Sequence, residues 1–170
     1  MKIFRVENIH WSGGLIRSYV ILRSAKVDND SIVIPPSLHL LKLAKHGISE
    51  NSIKAAASDL KLFFQTLERF NVSWKDITDN QMSGYLENIL QSESRLSVIS
   101  IERHISTLRK FYYDAERNGL LTSTKHFTFD YYRQEPVKDQ SHPSDLLIDI
   151  SAQVAAVERN TRQVSGVSVT

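Results

Sequence analysis

The spacing of apolar residues changes period along the chain, and the changes mark the elements. At the start the period is two: Phe4 and Val6 alternate with Arg5 and Glu7, and Leu15–Leu22 is rich in β-branched and aromatic residues. Ser12-Gly13-Gly14 and Val27-Asp28-Asn29-Asp30 are turn signals, and Ser31–Ile34 is a last short strand before Pro35-Pro36. Residues 2–34 therefore predict a small antiparallel sheet. From there the period is helical. Leu38, Leu41 and Leu43-Ala44 predict a short helix over 37–46, closed by Gly47. Ser49 is an N-cap, followed by a stripe of Ile53, Ala56/Ala57, Leu60, Phe63/Phe64 and Leu67 that runs to about Phe70.

Two further helices follow. Thr78 and Gln81 have the spacing of a capping box, and Met82, Tyr85-Leu86 and Ile89-Leu90 form the apolar face behind it. After the polar stretch Gln91–Arg95, Ser97 caps a long helix with Ile101, Ile105, Leu108, Phe111/Tyr112 and Ala115 inside and Asn118-Gly119 at its end. The Ser49 and Ser97 helices echo each other: Ser52 corresponds to Ser100, Ile53 to Ile101, Leu60 to Leu108, Phe63 to Phe111 and Phe64 to Tyr112. Two crossed helical hairpins in one bundle account for that echo; so does the general likeness of capped amphipathic helices. The expected fold is mainly α, a compact bundle of four to five helices with a small N-terminal antiparallel β element. The expected division is 1–34 for the β element, 35–126 for the bundle and 127–170 for a linker and tail, with one further helix over 145–159.

Composition removes whole classes of chemistry. The chain of 170 residues has no cysteine, which excludes disulfides, thiolate metal sites and cysteine nucleophiles. No two of its six histidines stand three to five residues apart, so no local zinc pair exists. Phosphate-loop, nucleophile-elbow and dinucleotide glycine patterns are absent. No apolar run approaches the ~20 residues of a membrane span, and the charged start, Met1-Lys2-Ile3-Phe4-Arg5, is unlike a signal peptide. A soluble cytoplasmic protein without metal or cofactor is the expectation. The net charge of +2 hides an asymmetry: residues 1–47 hold seven cations against three anions, while residues 48–126 hold ten of each. The basic end suits a polyanion or an ordinary solvated surface.

The polar faces of the long helices carry the more specific signal. Lys54, Ser58, Lys61 and Gln65 lie opposite the apolar stripe of the first; Ser100, Arg103, Thr107 and Lys110 line the other, with His104 and Arg109 beside them. Cations neutralise phosphates, and short hydroxyl and amide groups bond phosphates or base edges. The same faces are also what a merely solvated amphipathic helix presents.

Ser49-x-Asn51-Ser52-Ile53-x-Ala55 with Asp59-Leu60-x-x-Phe63 resembles the opening helix of the core-binding domain of tyrosine recombinases, the phage integrase family. Ser97-x-x-Ser100-Ile101-x-Arg103-x-Ile105-Ser106-x-Leu108-Arg109-x-Phe111-Tyr112 resembles that domain's last long helix, and Asn118-Gly119-Leu120 its end. Ile77-Thr78 and Tyr85-Leu86 are in register with the element between them, and Pro35–Gly47 resembles its lead-in helix, so the likeness covers about residues 35–122. Ala56 stands where the family often has tyrosine, and Leu121-Thr122-Ser123 where it usually has Asn-Pro.

The resemblance implies a SAM-like helical domain that grips one side of double-stranded DNA during integration or recombination. On that reading the polar helix faces make Lys54, Lys61, Arg103 and Lys110 the expected phosphate contacts and Ser52, Ser58, Ser100 and His104 the expected groove contacts. No His-x-x-Arg occurs, so Tyr112, Tyr113, Tyr131 and Tyr132 lack the family's activating constellation and no catalytic residue is expected here. The expected chain is a piece of a recombinase, or a relative that keeps this half. The alternative is a helical protein-interaction module, or a fragment that pairs with recombinase protomers, with no DNA affinity of its own. The β element has three open roles: an accessory DNA contact, packing on a neighbour, or covering the bundle.

Overall fold

The computed structural model describes residues 1–12, 14–23 and 31–133. The helix expected over 145–159 and the turn at 27–30 lie outside those residues. Strands β1 (Lys2–Trp11), β2 (Gly14–Arg23) and β3 (Ser31–Ile32) form an antiparallel sheet in the order β1-β2-β3. The β1–β2 register shifts between Val6 and Ile9, where Asn8 takes a φ of +58°. That irregularity turns Ile9 toward Ile16 while Ile3 faces Ile21.

Helix α1 (Ile34–Lys45) starts three residues before its expected position, with Pro35 and Pro36 inside its first turn. There a proline's missing N–H has no carbonyl to serve and its fixed φ is already helical, so the pair opens the helix rather than only stopping the strand. Helices α2 (Glu50–Arg69) and α4 (Val98–Arg117) have 20 residues each, and both carry the expected serine caps. Ser49 Oγ accepts from the Ser52 N–H at 3.4 Å, and Ser97 Oγ from the Ser100 N–H at 3.3 Å. The capping box of α3 (Asp79–Gly84) is also present.

The helix that α3 begins does not continue as an α-helix. Tyr85–Glu93 is π-helical, its wider turns closed by the Ser94 N–H on the Ile89 carbonyl at 2.7 Å and Ser92 Oγ on the Glu87 carbonyl at 2.8 Å. Doublets of apolar residues at 85/86 and 89/90 fit either winding, so hydrophobic spacing alone cannot distinguish them.

The core is one cluster. Ile53, Leu60 and Phe63 from α2, Met82 and Leu86 from the α3 segment, and Ile101, Leu108 and Phe111 from α4 are all buried. Aromatic rings fill its centre: Phe63 stands edge-on to Tyr85 at 5.2 Å, and Phe64 to Phe111 at 5.6 Å. Phe127 caps it against Tyr112 at 4.8 Å. The sheet lays Tyr19 and Ile21 on α1 and α2 and is anchored by polar contacts: the Ile21 N–H donates to Ser37 Oγ at 3.0 Å, and Tyr19 Oη donates to Glu50.

Candidate nucleic-acid interface

Three arginines of the sheet are exposed yet lie within reach of acids on α2. Arg5 and Arg17 reach Glu50 at 2.8 and 3.7 Å, and Arg23 reaches Glu68 at 2.8 Å. Lys45 sits over the Trp11 ring at 3.2 Å, and Lys42 pairs with Asp114. These five cations of residues 1–47 thus have partners on α2, on α4 or, for Lys45, on β1. Lys54 and Lys61 share one edge of α2 with Glu50 and Glu68, at offsets of 4, 11 and 18 from Glu50, so they run beside the sheet.

The other edge of α2 faces α4, and there the polar chemistry concentrates. Asp59, 3% exposed, sits among the core residues of α2. Arg103 Nε donates to its Oδ2 at 3.2 Å and Nη2 to its Oδ1 at 2.8 Å; Thr107 Oγ1 donates to Oδ2 at 3.0 Å. His104 Nδ1 stands 3.3 Å from Oδ1, outside good hydrogen-bond geometry, and His104 Nε2 meets Tyr85 Oη at 2.8 Å. Burial by itself would raise the Asp59 pKa, but the His104 and Arg103 contacts outweigh it and hold the carboxyl below its usual range. The same fork raises Arg103, and burial pushes Tyr85 well up. The chain Tyr85–His104–Asp59–Arg103 ties α2, the π-helical segment and α4 together.

That network corrects one expectation. His104 is 0% exposed, held between Tyr85 and Asp59, so no external group reaches it. The signal was present in the spacing: 101, 104 and 108 are i, i+3 and i+7 of the apolar stripe. Ser52 and Ser100 stay accessible or half-buried while bonding their cap serines at 2.9 and 3.0 Å; Ser58 Oγ donates back to the Lys54 carbonyl at 3.2 Å.

A groove of about 390 Å³ opens where α1, α2 and α4 meet, and Ser52, Arg103 and Lys110 all line it. Lys54, Ser58 and Lys61 do not. Asn51, Ser106 and His39 join the lining. His39 Nδ1 donates to Asp114 Oδ2 at 2.8 Å, and burial lowers the His39 pKa despite that carboxylate. From the groove a stripe continues down α4. Arg103, Lys110 and Arg117 stand seven apart on one exposed face, with Ser106 and Tyr113 between them. Arg117 was legible from that spacing alone. It lies over the Tyr113 ring at 5.7 Å and has no acid partner among the described residues.

These four helices and their polar seam fall where a known family matches the chain. The phage integrase, N-terminal SAM-like domain family matches residues 38–119. Over that span the chain is similar to a phage integrase N-terminal SAM-like domain. The match supports a tyrosine recombinase-type domain, and its limits fall within the span read from the sequence motifs. No curated protein and no solved structure matches the chain. The matched span begins inside α1 and ends two residues after α4, so the sheet precedes it. No helix among the described residues is long and apolar enough to cross a membrane.

Proposed function

We propose that the SAM-like domain binds duplex DNA as the core-binding half of a tyrosine recombinase-type protein, in DNA integration or recombination, and supplies no transfer chemistry itself. The observation that carries this reading is the α4 stripe: Arg103, Lys110 and Arg117 stand seven apart on one exposed face. A seven-residue step spans roughly 10.5 Å of helix, comparable with the ~12 Å width of a major groove. Lys110 and Arg103 lead the phosphate contacts. Lys54 and Lys61, beside the sheet, contribute less, and Ser52 and Ser100 offer hydroxyls near the α2 and α4 N-termini.

The test is fluorescence anisotropy with duplex DNA over a salt series. Log affinity should fall with log salt at about −0.9 per phosphate contacted, and changing Lys54, Lys61, Arg103 and Lys110 to Gln together should flatten the slope. No binding by the native chain at low salt contradicts the reading. A helical protein-interaction module would then lead, favoured by Val98 and Ile99, which are exposed in the first turn of α4, Ile99 to 83%.

A further inference from the structure

The groove between α1, α2 and α4 holds one cation whose orientation is set from beneath. Arg103 is half in solvent, its side chain 51% exposed, yet its Nε and Nη2 are forked onto a carboxylate that is 3% exposed. The fork uses one edge of the guanidinium. The other, with Nη1, bonds to no acceptor among the described residues. Asp59 is itself fixed by Thr107 Oγ1 at 3.0 Å, so the cradle is rigid on both sides. Around it stand Ser52, Asn51, Ser106 and Lys110, all donors that need no deprotonation. His39 also lines the groove, 4% exposed, and its Nε2 has no partner.

A carboxylate under a surface arginine has two opposite consequences. It removes net charge, which weakens attraction to any anion. It also fixes a planar fork that would otherwise have to be ordered on binding, and a pre-set fork suits the two oxygens of a phosphodiester. We propose that this groove seats one backbone phosphate of duplex DNA, and that Asp59 is the positioning residue that turns the free edge of Arg103 toward it. The inference rests on the DNA-binding reading and assigns one phosphate of that contact to this site.

Asp59→Asn separates the two consequences by sign. It adds one positive charge to the domain while leaving the Arg103 fork only one acceptor. If Asp59 positions Arg103, affinity for duplex DNA falls by at least about threefold at fixed salt and the salt slope flattens by roughly 0.9, one contact. If the ion pair only holds the helices together, the more positive variant binds DNA as tightly as the native chain or tighter, and the proposal is overturned. Thermal unfolding of the variant establishes that it is folded at the assay temperature. Should it not be, Arg103→Lys decides: it keeps the charge and loses the fork. Positioning predicts the same loss and the same flattening; unchanged binding overturns it. Native binding that Lys110→Gln weakens and neither variant weakens defeats this inference alone. A native chain that does not bind at low salt defeats the DNA reading together with it.

Discussion

Helices α2 and α4 are built alike and used differently. Both have 20 residues, both open on a Ser-x-x-Ser cap, and both bury an equivalent row of Ile, Leu and aromatic side chains. The difference lies on their flanks. At the position where α4 has Thr107, α2 has Asp59, and the two are bonded to each other across the helix interface. The sheet covers one edge of α2 and engages Glu50 and Glu68, whereas α4 keeps Arg103, Lys110, Tyr113 and Arg117 outward. The comparison teaches that one amphipathic pattern serves either as scaffold or as surface. What decides is the neighbour that packs on the second edge, and no period in the sequence encodes that neighbour.

Sharing a core predicts equal costs inside. Phe63→Ala and Phe111→Ala should each lose roughly 3–5 kcal/mol of stability in urea unfolding, because both rings are buried in one core cluster. A large inequality would break the symmetry of the two helices at its strongest point. The flanks predict an unequal pair. Asp59→Ala should cost on the order of 3 kcal/mol, since it leaves Arg103 and Thr107 without their buried acceptor, while Thr107→Val should cost about 1 kcal/mol.

Asp59 also predicts a pH limb. Its carboxyl has a lower pKa folded than unfolded, so its contribution is complete above the ordinary carboxylate range. That contribution is lost as pH falls through the folded value. Urea midpoints of the native chain should therefore drop below about pH 4, and Asp59→Asn should remove part of that drop. An equal acid limb in both proteins would mean that the buried carboxylate is not what acid titrates. The smallest effects come from the caps. Ser49→Ala and Ser97→Ala should each cost about 1 kcal/mol, and a marked difference would show that the sheet beside Glu50 supports one helix start and not the other.

Much of this architecture can be read before any coordinates. Ser49, Thr78 and Ser97 announce three helices because a side-chain oxygen four residues before an apolar row satisfies free N–H groups there. Ile53, Leu60, Ile101 and Leu108 identify the faces that meet. The motif residues from Ser49 to Phe63 and from Ser97 to Tyr112 fall in the span the family match covers. The π-helical turns at Tyr85–Glu93 were not legible, because paired apolar residues suit both windings. Nor was the role of Asp59, whose ligands come from residues 44 and 48 positions away. His104 was misjudged for a related reason: a polar side chain on the border of an apolar stripe is inside or outside according to what faces it, and here Tyr85 faces it.

The central claim is that the outward edge of α4, and not the sheet-side edge of α2, is the DNA face. The most direct measurement compares two variants of equal net charge, Lys110→Gln/Arg117→Gln and Lys54→Gln/Lys61→Gln, for duplex DNA binding by anisotropy across a salt series. The α4 pair should lose affinity by about tenfold and flatten the slope by roughly 1.8, two phosphate contacts, while the α2 pair stays close to the native chain. Equal losses in both variants, or a larger loss in the α2 pair, would contradict the account.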